Sequence, residues 1–264
     1  MATLGERYFV DGAAVERAGF VVAGDDPGLI VGLNVFETLR TYNGQLFRAP
    51  AHADRLVGSA ELLGVPCPDV QTLIAEWTAA VADFGAACKV RMTLTPRRRI
   101  AHVTPLDLDY VSRPLTVATR VWEPTEWLNG RLKHGSRANS ESARRLADAD
   151  EVFWVGRDGC LTEATRSSIF AAVDGVLVTP PDDGRILTGV TRGALLDAGR
   201  AAGIPVVERL LPRNAPMTEL YATSTLKELA PVVRLDGEEA PGGGPLGDSL
   251  VKAYRALVAR ECAG

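Results

Sequence analysis

Histidine is scarce in this sequence. His52, His102 and His134 are the only three, and none stands in a His-x-x-x-His or Glu-x-x-His spacing. The usual helical frameworks of a zinc or di-iron centre are therefore missing, and no metal is expected. The four cysteines, Cys67, Cys88, Cys160 and Cys262, form no Cys-x-x-Cys pair and read as reduced thiols. No apolar run approaches the length of a membrane span, and Met1–Arg7 lacks the apolar core of a secretory leader. Neither sign of charge dominates: 29 Lys and Arg against 33 Asp and Glu give a net charge of -4. That balance argues against nucleic acid or an anionic membrane as the main partner. A Gly-x-Ser-x-Gly elbow and a Walker loop are absent too, which removes the common hydrolase and nucleotide-binding readings. The expectation is a soluble cytoplasmic protein acting on a small molecule.

What is present is a chain of 264 residues, 46% hydrophobic, enough for one large domain or two smaller ones. Arg7–Val10 before Asp11-Gly12, and Val35–Arg40 before Asn43-Gly44, carry hairpin signals. The spacing predicts helices over about 51–63, stopped by Gly64 and Pro66, and over 69–84, where Leu73, Trp77 and Val81 share a stripe. Val90, Met92 and Leu94 alternate with polar residues as in a half-buried strand, and Leu115–Val121 reads as another. Residues 122–129 break the pattern and read as an interdomain linker. Beyond them come a helix (138–147), strands (151–155, 167–173, 176–179), a helix (190–202), three strands (205–210, 219–223, 231–235) and a closing helix from about 248. Mixed elements without regular alternation indicate an α+β fold. The domains are placed at 1–121 and 130–264.

Few segments carry chemistry. Thr188-Gly189-Val190-Thr191 leads straight into a helix, whose first N–H groups and positive dipole end suit an anion. A Thr N-cap with no ligand would look the same. Lys133, in Leu132-Lys133-His134-Gly135-Ser136, reads locally as a solvated lysine. His52 and Arg55 read as a surface i,i+3 pair, and Glu163 follows a tight turn where a carboxylate is commonly exposed.

Together, however, these segments resemble one family. Gly32–Arg40, Tyr42-Asn43-Gly44, His52–Leu56, Ser59-Ala60, Lys133-His134, Gly159–Phe170, Thr179-Pro180-Pro181, Ile186–Arg192 and Tyr221–Thr225 occur in the order found in class IV (fold type IV) aminotransferases. That group includes branched-chain and D-amino-acid aminotransferases and 4-amino-4-deoxychorismate lyases. The resemblance spans roughly residues 7 to 237 and implies a two-domain enzyme. Its smaller N-terminal α/β domain and larger C-terminal pseudobarrel-like domain would hold pyridoxal 5'-phosphate in the cleft between them, in a homodimer. It also implies roles. Lys133 would form the internal aldimine and then act as base on the substrate Cα proton. Glu163 would keep the pyridine nitrogen protonated. Arg55 would grip the phosphate with its planar fork, joined by Gly189, the Val190 and Thr191 N–H groups and the Thr191 and Thr225 hydroxyls. Leu187 would pack on the ring.

The departures bear on substrate. Ala138 stands where many members have a tyrosine five residues after the lysine. Phe36 replaces the tyrosine of D-amino-acid aminotransferases, and Leu226 narrows a pocket where branched-chain enzymes have a small residue. Ser224 and Arg91 complete the substrate-side candidates; Arg40 and Arg97-Arg98-Arg99 compete with Arg91 for a substrate carboxylate. The leading expectation is transfer of an amino group between a small amino acid or amine and a 2-oxo acid. A lyase that releases 4-aminobenzoate and pyruvate is the rival within the family, mildly favoured by Lys133-His134. A non-catalytic cofactor-binding protein is the rival outside it.

Overall fold

Residues 5–263 are described by the computed structural model, and their contacts divide into two units. The first comprises the chain through Asp107, Leu132–Ser136, and the C-terminal stretch from Val258; the second comprises Leu108–Arg131 and Arg137–Leu257.

The first unit is a six-stranded antiparallel sheet backed by helices. Its strands are β1 (Arg7–Val10), β2 (Ala13–Val15), β3 (Val35–Tyr42), β4 (Gln45–Leu46), β5 (Cys88–Leu94) and β6 (Arg99–Pro105), in the order β2-β1-β6-β5-β3-β4. The helices are α1 (Pro27–Ile30), α2 (Ala49–Leu63) and α3 (Val70–Val81). Strand β5 alternates as its sequence demands, with Cys88, Val90, Met92 and Leu94 buried. Ala53, Leu56 and Ala60 of α2 and Leu73, Trp77 and Ala80 of α3 pack on that face with Val35 and Leu39 of β3. Asp69 starts α3 by accepting the Thr72 N–H at 2.8 Å, and Gly64 stops α2 in the left-handed region at φ 64°. Each fully buried side chain of Leu or Met size in this face contributes about 1.5–3 kcal/mol.

The second unit holds α4 (Leu108–Ser112), β7 (Leu115–Val121), α5 (Ala138–Ala147), β8 (Glu151–Val155), β9 (Cys160–Ala164), β10 (Ser168–Val173) and β11 (Val176–Thr179). It continues with α6 (Val190–Ala201), β12 (Val206–Glu208), β13 (Leu211–Pro212), β14 (Met217–Ser224), β15 (Glu228–Leu235), β16 (Glu238–Glu239) and α7 (Pro245–Glu261), whose residues from Val258 group with the first unit. Ten strands form one sheet in the order β12-β11-β10-β14-β15-β7-β8-β9-β13, with β16 paired to β15. The pairs β11–β12, β15–β7 and β7–β8 are parallel and the others antiparallel. Strands β8 and β10 are buried at every position, which is why their sequences run apolar rather than alternate.

Two expectations need correcting. The strand 115–121, assigned to the N-terminal domain, lies inside the second sheet between β15 and β8. The 122–129 segment is not a spacer between domains but part of the second unit. The Trp122 N–H donates to the Val155 carbonyl at 3.0 Å, and its ring lies 5.1 Å from that of Trp154. Contacts made far along the chain decide both points. Strands β6 and β9 were not foreseen, because Arg97-Arg98-Arg99 and Thr162-Glu163 masked their alternation.

Candidate active site

Lys133 lies in Leu132–Ser136, an internal segment of the C-terminal half that groups with the first unit. Its carbonyl accepts the Phe36 N–H at 3.1 Å, and its own N–H donates to Ser59 Oγ at 3.2 Å. His134 bridges to Val35, the Gly135 N–H donates to the Asn34 carbonyl at 2.9 Å, and Leu132 enters the first core. The segment thus runs against the start of β3. Its sequence permits this approach. A Cβ on Gly135 would fall 1.8 Å from Asn34 Oδ1, and one on Gly32, at φ 69°, would fall 2.4 Å from Ser136 Oγ. Lys133 is half-buried, with Nζ 4.9 Å from the centroid of the Phe36 ring. It belongs to the first unit, not to the C-terminal domain in which the sequence pattern placed it.

Beside it on β3 is Glu37, whose side chain is 0% exposed. Arg55 Nε donates to Glu37 Oε1 at 2.6 Å and Arg55 Nη2 to Oε2 at 2.9 Å, a bidentate pair. His52 Nδ1 meets Oε2 at 2.8 Å. His52 and Arg55 are therefore not the surface pair that their spacing suggested: His52 is buried and Arg55 nearly so. Burial by itself pushes the Glu37 carboxyl up, but Arg55, His52 and, further off, Lys133 together hold it well below the usual carboxylate range. Burial pulls His52 below its ordinary value despite Glu37. With an ionised acceptor opposite, His52 must present Nδ1–H to Glu37, so the 3.5 Å approach of Arg55 to that nitrogen is a contact and not a hydrogen bond.

Phe36 is buried on β3, and the exposed Arg91 on β5 stacks its guanidinium 3.8 Å from the same ring centroid. Arg97, Arg98 and Arg99 are engaged by Asp25, Asp11 and Glu76, which weakens them as carboxylate binders. Arg40 is buried, with its guanidinium 4.4 Å from the Tyr42 ring centroid.

In the second unit Glu163 is half-buried on β9, not exposed, and its Oε2 accepts the Leu187 N–H at 2.9 Å. Arg137, which donates to the Thr165 carbonyl, brings a positive charge into the same neighbourhood. Gly189 is the N-cap of α6 and offers no side-chain acceptor to the first turn, where Thr191 is buried and Val190 half-buried. The Thr188 hydroxyl turns away to Asp182 at 3.0 Å. Ser224, Thr225 and Leu226 form the half-buried turn between β14 and β15, with Ser224 Oγ accepting the Lys227 N–H at 3.3 Å. Ala138 is exposed at the first position of α5.

The family model described as amino-transferase class IV matches residues 34–235. The chain belongs to the class IV aminotransferases. A putative branched-chain-amino-acid aminotransferase from Methanocaldococcus jannaschii is 30% identical over 258 residues, covering 88% of both chains. A D-alanine aminotransferase from Listeria monocytogenes is 26% identical over 282 residues, covering 97% of both. Among solved structures, a hypothetical aminotransferase from Mycobacterium tuberculosis, in an alpha-ketoglutarate and PMP bound form, superposes with a TM-score of 0.86. It is 25% identical, over 97% of this chain and 99% of that one.

This class IV aminotransferase has the fold of the fold type IV transaminases, and its cofactor is pyridoxal phosphate. The residues present fit that group. The first turn of α6 is uncapped by any side chain, as a phosphate site requires, and Glu163 is a carboxylate oriented by a backbone donor. Glu37 is the buried partner of Arg55 and His52 that sequence reasoning quoted in a motif but gave no role. A carboxylate among the apolar positions of β3, followed by His-x-x-Arg on the next helix, was the available signal.

Proposed function

We propose that this aminotransferase moves an amino group between a small amino acid and a 2-oxo acid, with Lys133 as the lysine that holds the cofactor. The observation that carries this reading is the pinning of Lys133 by Phe36, Ser59 and the His134–Val35 bridge. A merely solvated lysine needs none of this, whereas one that must hold its Nζ at a reacting atom does. When bound, the cofactor supplies an electrophilic carbonyl carbon and a ring that accepts electrons from the substrate Cα–H bond.

The chain's own residues would do the rest. Lys133 Nζ would take the proton from the substrate Cα and return it during transfer. Glu163 holds the proton on the ring nitrogen. Arg55, the Val190 and Thr191 N–H groups at Gly189, and the Thr191 and Thr225 hydroxyls bind the phosphate, and Leu187 packs against the ring. Phe36 and Leu226 bound the substrate side chain. Arg91 offers a guanidinium to a carboxylate, with Ser224 as a neighbouring hydroxyl. A homodimer is the assembly in which we place this chemistry. The names of the relatives support both branched-chain and D-alanine substrates, and Phe36 and Leu226 favour a narrow apolar side chain.

The test separates transfer from the rival elimination. With an amino acid and no oxo acid, the loaded protein should complete one half-reaction and stop, and pyruvate or 2-oxoglutarate should restart it with ping-pong kinetics. Many cycles of aminodeoxychorismate to 4-aminobenzoate and pyruvate without any acceptor, and no response to amino acids, would overturn the reading. Borohydride labelling followed by peptide mapping should find the cofactor on Lys133; a label on Lys227 or Lys89 would remove it from that role.

A further inference from the structure

The first unit buries a cluster of ionisable groups at Glu37, His52 and Arg55. Glu37 has no exposure, yet it remains ionised, and it faces two cations, Arg55 and Lys133, and a buried His52. Its carboxylate accepts two hydrogen bonds from Arg55 and one from the His52 ring, and Oε2 also accepts the Thr38 N–H at 3.2 Å. A buried ion pair gains little net stability over well-packed apolar residues. A carboxylate kept at this position therefore needs a reason beyond packing.

We infer that Glu37, braced by the Nδ1–H of His52, is a positioning residue that fixes the Arg55 guanidinium in the orientation needed to receive the cofactor phosphate. This rests on the reading of Arg55 as a phosphate ligand. The bidentate contact fixes both the plane and the roll of the guanidinium, which a single hydrogen bond does not. His52 then blocks the carboxylate from turning, because its bond to Oε2 is lost if the Glu37 carboxylate rotates to follow a loosened arginine. The neutral imidazole does this without adding a charge that would compete with Arg55 for the carboxylate. The pair tunes how the phosphate is held, and its defect should appear in affinity for the phosphate ester more than in affinity for its phosphate-free analogue.

The full-length protein, stripped of cofactor, is titrated with pyridoxal phosphate and separately with pyridoxal, following tryptophan fluorescence. In the natural protein the phosphate ester should bind far more tightly. Removing the partner behind a metal ligand typically costs about tenfold to a hundredfold in affinity, and a factor of that order is expected here. Glu37→Gln should lose about that factor for pyridoxal phosphate and change little for pyridoxal. His52→Asn, which retains an N–H near the Nδ1 position, should keep the preference, whereas His52→Leu should lose part of it. Arg55→Ala should reduce the preference at least as much as Glu37→Gln. If Arg55→Ala keeps the full preference, the phosphate role of Arg55 is wrong and the inference goes with it. If Arg55→Ala loses the preference but Glu37→Gln keeps it, the phosphate role stands and the positioning role falls. Should Glu37→Gln not fold, the histidine pair decides, and equal preferences in His52→Asn and His52→Leu would overturn the inference.

Discussion

The two units solve the same problem, holding a charged group still, with different parts. In the first unit side chains do it: Glu37, His52 and Arg55 satisfy one another in a buried cluster beside Lys133. In the second unit the backbone does it: the Leu187 N–H orients Glu163, and the open first turn of α6 presents its N–H groups and dipole. Side-chain clusters are strong but all-or-none, since losing one member strands a buried charge. Backbone donors are weaker one at a time and survive any substitution other than to proline. The first unit should therefore be the more sensitive to pH and to small steric changes, while single side-chain changes in the second should act mainly on chemistry.

The largest effect expected under this comparison is on Glu163. Glu163→Gln keeps the oxygen that accepts the Leu187 N–H but removes the charge, so cofactor affinity should change little. Turnover should fall at least about a hundredfold, equivalent to roughly 2.7 kcal/mol of barrier. Steady-state rates alongside cofactor titration check it; near-normal turnover would place the essential carboxylate elsewhere.

A steric change should break the first unit. Gly135→Ala places a Cβ 1.8 Å from Asn34 Oδ1, and Asn34 is itself held by its Nδ2 donating to the Gly28 carbonyl at 2.9 Å. Overpacking of this kind costs about 1–3 kcal/mol. A lowered urea midpoint is expected, together with weaker retention of the cofactor at Lys133. An unchanged midpoint would mean that the Leu132–Ser136 segment shifts freely, contrary to its hydrogen bonds.

The smallest effect is on pH-dependent stability. His52 titrates below its ordinary 6.5 when folded, so as pH falls below about 6.5 the unfolded chain binds a proton that the folded chain refuses. Glu37 titrates below its ordinary 4.5, so the unfolded chain again takes up the proton first, from about pH 4.5 downward. Both groups make the fold less stable on acidification. His52→Leu should flatten the loss that sets in below about pH 6.5 and, by removing one of the groups that hold Glu37 low, should also shrink the loss below about pH 4.5. Urea denaturation at stepped pH measures this, and an unchanged slope would show that His52 is not buried neutral.

Most elements could be read directly, and the reason is local. The strands 115–121, 151–155 and 176–179 and the helix 138–147 are bounded by turns and by hydrophobic period alone, and they stand where those signals put them. Strand β6 was missed because consecutive arginines, each neutralised by an acid distant in sequence, look like a solvated run. The order of the motifs named a set of candidate site residues but not their geometry. Nothing local in His52-Ala53-Asp54-Arg55 shows that the helix turns both side chains onto Glu37.

The sequence by itself determined most of the element types and the family, because period, turn chemistry and motif order are properties of neighbouring residues. Only the tertiary structure decided that Leu115–Val121 belongs to the second sheet, that Lys133 belongs to the first unit, and that Glu37 is the buried partner of Arg55. Those outcomes rest on hydrogen bonds and ion pairs between residues tens of positions apart, such as Phe36 to Lys133. Their free energy exists only after the chain has closed the intervening loop, so no window along the sequence contains it.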